Sequence, residues 1–152
     1  MTVRIAFPNV PKDLIAAMMH VENYVNSCGF SVRLLELLRL RASQINGCAY
    51  CIDMHYKEAI AAGETPMRLY SLSVWRDTDF YDAKEQAALA WCEAVTAIYD
   101  NNPTDDLFAE MQQHFKESEI ANLTLAVTQI NSWTRLCKSF GFAPGHYQAG
   151  GH

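Results

Sequence analysis

Long apolar runs are missing from this 152-residue sequence, and none approaches the roughly 20 residues that a membrane-spanning helix needs. An excess of positive charge is missing too. The formal net charge is −5, whereas nonspecific nucleic-acid binding calls for a basic footprint. Met1 to Asp13 hold no apolar stretch long enough for a secretory signal and are interrupted by Pro8 and Pro11. Strand-like alternation, low-complexity tracts, linkers and clear repeats are not found either. These absences point to a cytoplasmic protein without nucleic-acid or membrane partners. In such a reducing compartment a disulfide framework is not expected, so the five cysteines should be mostly thiols. Cys28, Cys92 and Cys137 stand singly on apolar faces and read as inert buried thiols.

What is present is helical periodicity, nearly throughout. Leu14, Met18, Val21, Val25 and Cys28 form one apolar stripe, closed by Gly29. Ser31 caps a second helix whose Leu34, Leu35, Leu38, Ala42 and Ile45 face inward as far as Gly47. A third runs from Cys48 to about Ala62 and stops at Gly63. Thr65-Pro66 is a cap followed by proline at the first helical position. Asp82 with Glu85 resembles a capping box for a helix to about Tyr99. Asn101-Asn102-Pro103 breaks the chain, Thr104 opens a helix with Phe108, Met111 and Phe115, and Ser118 starts the last one. The tail from Gly141 to His152 reads as irregular. The length suits one domain, residues 1–152, an all-α bundle of about seven helices with its core at about 14–140.

Cys48-Ala49-Tyr50-Cys51-Ile52-Asp53-Met54-His55 is the segment that can carry chemistry. At a helix start, unpaired N–H groups and the helix dipole favour a thiolate. Cys51 and His55 stand at i and i+4 and share a face. Folding about Gly47 sets the eleven residues back to Glu36 against the eight forward to His55. The mismatch is roughly 4.5 Å at 1.5 Å per residue, which two side chains can close. Glu36 can then orient His55 as a base for the thiols.

Each member also has a plainer reading. Glu36 alone would be a solvated or salt-bridged helix residue, with Arg39 or Arg33 nearby. His55 alone would be a surface or satisfied histidine. Structural zinc needs four ligands, and no second Cys or His pair appears. A thioredoxin-type CxxC belongs in a βαβ unit, and these surroundings are helical. Trp75, Trp91 and Trp133 read as core or subunit interface. His20, His114, His146 and His152 lack such partners.

The run Glu36-Leu-Leu-Arg-Leu-Arg-Ala-Ser-Gln-Ile-Asn-Gly-Cys48-Ala-Tyr-Cys51-Ile-Asp-Met-His55 resembles the core of the carboxymuconolactone decarboxylase-like superfamily, and within it the AhpD-type alkylhydroperoxidases. The likeness extends through Trp75-Arg76, Phe80 to Thr96 and Ile130 to Arg135. It implies an all-helical fold, trimers or hexamers, and hydroperoxide reduction through a cysteine pair without metal or flavin. Cys48 and Cys51 match the redox-active pair, Glu36 and His55 the proton relay. Tyr50, a site-lining candidate, stands where the best-known peroxidases have histidine, and Thr134 replaces an asparagine. The decarboxylase branch lacks the cysteine pair.

The expected activity is thus a thiol-dependent hydroperoxide reductase whose disulfide is restored by an external dithiol, of lipoyl type or on a thioredoxin-like protein. The alternatives are another thiol oxidoreductase, such as a disulfide reductase, and a non-catalytic redox sensor. Cys51, beside His55, is the expected attacking thiol. Cys48, exposed at the helix terminus, is the one expected to meet the reductant. Neither Glu36 nor His55 reads as part of the apolar core.

Overall fold

Helix α2 (Val32–Ile45) runs through the interior of the bundle, and the other elements are arranged around it. The computed structural model describes residues 2–100 and 102–151, so the expectations placed on Asn101 and His152 lie outside the described residues. Around α2 lie α1 (Lys12–Ser27), α3 (Ala49–Ala61), α4 (Pro66–Ser71), α5 (Ala83–Thr96), α6 (Asp105–Gln112) and α7 (Glu117–Phe140). Two 3₁₀ turns, Phe7–Asn9 and Leu72–Asp77, complete the helical content, and no strand occurs among the described residues. The fold is all-α.

The caps follow the side chains that make them. Ser31, Thr65 and Thr104 each accept a hydrogen bond from a backbone N–H in the first turn of α2, α4 and α6. Asp82 and Glu85 close a reciprocal capping box on α5. That helix stops at Thr96, short of the expected Tyr99, and α7 starts one residue early, at Glu117. Phe115 lies beyond α6 yet is buried, so it anchors the connection to α7.

Against expectation, α2 buries more than a stripe. Every residue from Leu34 to Leu40 is buried, Glu36 and Arg39 among them. The physical reason is enclosure: α3, α5 and α7 all pack on this helix, so no side faces water for long. Gly47 at φ 61° turns the chain back, and α3 returns antiparallel along α2. Asn131 of α7 pins this turn by accepting from Asn46 Nδ2 at 2.8 Å.

The tail beyond α7 has neither helix nor strand, as its glycines suggested, but it lies back over α3.

Candidate active site

Cys48 is the N-cap of α3 rather than its first residue, and its sulfur accepts from the Cys51 N–H at 3.3 Å. Cys48 and Cys51 are joined as a disulfide, with Cα atoms 5.3 Å apart. The start of the helix therefore faces the sulfurs, and when the pair is reduced its N–H groups and dipole favour thiolate. Both sulfurs belong to an apolar cluster with Cys137, Tyr50 and Phe142. Cys48 is only 2 % exposed, contrary to the expectation of an accessible helix terminus, because Cys137 of α7 and the tail residue Phe142 pack against the pair.

One turn on from Cys51, His55 Nδ1 lies 2.8 Å from Glu36 Oε2. The other oxygen of Glu36 accepts from Arg39 Nη1 at 2.7 Å. The chain of charges continues: Arg39 Nη2 meets Glu22 Oε1 of α1 at 2.6 Å and Asn26 Oδ1 at 2.8 Å. Gln129 of α7 in turn donates to Glu22. Burial works against ionising Glu36, but His55 and then Arg39 outweigh it and hold its carboxyl below the usual range. As a carboxylate, Glu36 accepts from Nδ1–H and leaves Nε2 as the basic nitrogen. Two carboxylates then face one guanidinium. An imidazolium formed when a thiol gives up its proton balances these four groups, and the thiolate carries the one remaining negative charge.

The expectation that Glu36 and His55 lie outside the core is overturned. They are 4 % and 5 % exposed, enclosed because α3 lies along α2.

A cavity of about 470 Å³ opens beside the pair. Cys51 and His55 form its reactive wall, and Ile15, Met19, Met54 and Trp133 give it an apolar one. Tyr50 lies on this cavity, with its ring edge-on to Phe142 at 5.6 Å. Burial, followed by the nearby Cys137 and Asp53, pushes its phenol pKa up. Cys48 is not part of the wall.

Sequence reasoning missed Glu22, although a charge set between Val21 and Val25 on an apolar stripe was a usable sign. Arg39 was considered only as a surface partner of Glu36, whereas Arg33 pairs with Glu64 instead. Cys137 is buried but not remote, since it touches the disulfide, and burial pushes its thiol up to about 12. Cys92 is likewise pushed up to about 12 by burial, on the far side of α2 where its thiol donates to Leu38 O. Cys28 is half-buried and donates to Tyr24 O. Among the described residues no group of three or more His, Cys, Asp or Glu side chains is placed to hold a metal ion.

Residues 12–94 match the carboxymuconolactone decarboxylase family, and they include α1, α2, α3 and most of α5. A relative in Bacillus subtilis, the uncharacterized protein YdfG, is 36 % identical over 141 residues, 93 % of this chain and 96 % of its own. The chain belongs to the carboxymuconolactone decarboxylase family.

Its AhpD-like fold is shared with a protein of unknown function from Agrobacterium tumefaciens, provisionally assigned to antioxidant defence as AhpD. That structure has a TM-score of 0.91 and 38 % identity, covering 96 % of this chain and all of the other. The fold alone is shared with two more distant structures. One is a peroxidase-related protein from Ralstonia eutropha JMP134, at 15 % identity, with 89 % of this chain and 72 % of that one covered and a TM-score of 0.78. The other is the debrominase Bmp8, at 17 % identity, with 89 % and 73 % covered and a TM-score of 0.76.

Proposed function

We propose that this member of the family is a thiol-dependent hydroperoxide reductase. The observation that carries the reading is the cavity wall on which Cys51 and His55 stand together, with Cys48 bonded to the first and Glu36 to the second. In the reduced protein His55 takes the Cys51 proton. The thiolate attacks the O–O bond, an S–O bond forms, and the alkoxide leaves as an alcohol on receiving the proton from His55. The Cys48 thiol then displaces water from the sulfenic acid and the disulfide closes. One hydroperoxide and two thiols become one alcohol, one water and one disulfide. An external dithiol, of lipoyl type or on a thioredoxin-like protein, returns two electrons by exchange. Such a donor is at hand in the cytoplasm, where this reading places the protein.

The apolar lining favours organic hydroperoxides, and cysteines 2 % and 3 % exposed favour a small oxidant over a protein disulfide. Steady-state peroxide consumption across a panel of dithiols tests the reading, with Cys51→Ser as the inactive reference. Many turnovers per chain are expected. One stoichiometric oxidation that then stops would move the assignment to a redox sensor.

A further inference from the structure

Tyr147 separates two hollows. On one side is the redox cavity, with Cys51 and His55 on its wall. On the other is a groove of about 370 Å³ between Tyr56, Lys57 and Ile60 of α3 and Gln148 and Ala149 of the tail. The tyrosine lines both, and Gly151 of the same segment also borders the redox cavity.

The segment is held by polar latches from successive turns of α3. Gly145 N–H donates to Asp53 Oδ2 at 2.9 Å, and the Lys57 ammonium donates to Tyr147 O at 3.0 Å. Glu58 accepts from the Tyr147 hydroxyl and from Gly150 N–H, the latter at 2.8 Å. From Ala143 to Gly151 every residue but Tyr147 is exposed, so little apolar burial adds to these bonds. Segments fastened in this way open at the low end of the free-energy range of a fold. The disulfide beneath is almost wholly enclosed, and Tyr147 and Gly151 of the tail stand with Cys51 on the wall of the redox cavity.

We propose that the tail is a gate: Tyr147, latched by Glu58, limits the size of molecule that reaches Cys51, and a bulky dithiol reaches the disulfide only when the tail lifts and the two hollows join. The proposal rests on the reading of Cys48–Cys51 as a redox pair and not on which oxidant the pair consumes.

Reduction of the oxidised full-length protein tests it, with dithiothreitol as the small reagent and a Cys-Gly-Pro-Cys peptide dithiol as the bulky one. Tyr147→Phe removes one latch, Glu58→Ala two, and Tyr147→Ala the partition. Each hydrogen bond lost at its usual net worth shifts an opening equilibrium by about fivefold. The peptide rate should therefore rise by about that factor in Tyr147→Phe and further in the other two, while the dithiothreitol rate changes less than about twofold. An unchanged ratio of the two rates in Glu58→Ala and Tyr147→Ala overturns the gate. So does equal acceleration with both reagents, or alkylation of the core thiol Cys92, which would mean general loosening. Absence of peroxide turnover would defeat the peroxidase reading and leave this ratio as it is.

Discussion

Glu22 and Glu36 occupy the two ends of one guanidinium: Arg39 reaches the first at 2.6 Å and the second at 2.7 Å, from a buried position on α2. Removing Glu36 therefore leaves Arg39 with a partner, whereas removing Arg39 takes from two buried carboxylates the cation they share. Arg39→Met should be the most destabilising change in this network, by about 3–5 kcal/mol, and Glu36→Gln should cost less. Thermal or urea melts of the two variants give the order, and a reversed order would contradict this account of the network.

The relay should act on thiol chemistry as well as on stability. Glu36→Gln and His55→Phe are expected to slow alkylation of the reduced pair by at least about tenfold, the cautious end of general-base effects. If the two act as a unit, the double variant should be little slower than the worse single one. The pH profile of alkylation, measured on samples shown to be folded, is the readout. An unchanged thiol pKa in all three would remove the relay and leave the disulfide chemistry standing.

Under mild peroxide, Cys48 and Cys51 should be the linked pair, with Cys28, Cys92 and Cys137 recovered as thiols. Cys137 is the demanding case, because it touches the pair. Burial pushes its thiol up to about 12, so it stays protonated and is a poor nucleophile for exchange. Peptide mass mapping decides, and a dominant Cys137 link would contradict the prediction.

Acid should unfold the protein through its buried carboxylates. Glu36 and Glu93 are each held below the usual range despite burial: Glu36 by His55 and Arg39, Glu93 by Trp75, Arg76 and Arg41. Because their folded pKa values lie below the unfolded value of about 4.3, the stabilisation is complete above that pH. It is lost as pH falls from there through the folded values. Urea midpoints between pH 7 and 3 should drop, and Glu93→Gln should start lower at pH 7 and fall less steeply.

We also expect a homo-oligomer, a trimer or a hexamer. Met67, Tyr70 and Val74 are 50 %, 68 % and 52 % exposed within one short stretch, an apolar surface of the kind that subunits cover. Light scattering at micromolar concentration checks this, and a monomer would contradict it.

The parts legible in the sequence were those that local chemistry decides. Ser31, Thr65, Asp82 and Thr104 announced their helices, and Gly47 announced the turn that brings Glu36 onto His55. Less legible was whatever depends on what packs outside a helix. The surroundings of α2 turned an amphipathic reading into burial on all sides, and Cys48 lost its expected exposure to Phe142, which follows it by 94 positions. Tyr147 carried no local sign at all, since nothing in a glycine-rich tail indicates where it will lie down.

Phe7 and Tyr147, on the same cavity, are 140 positions apart. The thiol pair sits instead at the start of a helix that packs chiefly against its immediate predecessor, α2. Local pairings of that kind form early in folding, and closures between distant parts of a chain come late. The two thiols should therefore be competent to oxidise before the chamber around them exists. During synthesis or refolding they would meet any oxidant indiscriminately. Selectivity is thus acquired with the last contacts to form, and partial opening at the ends of the chain would remove it while the bundle stays intact.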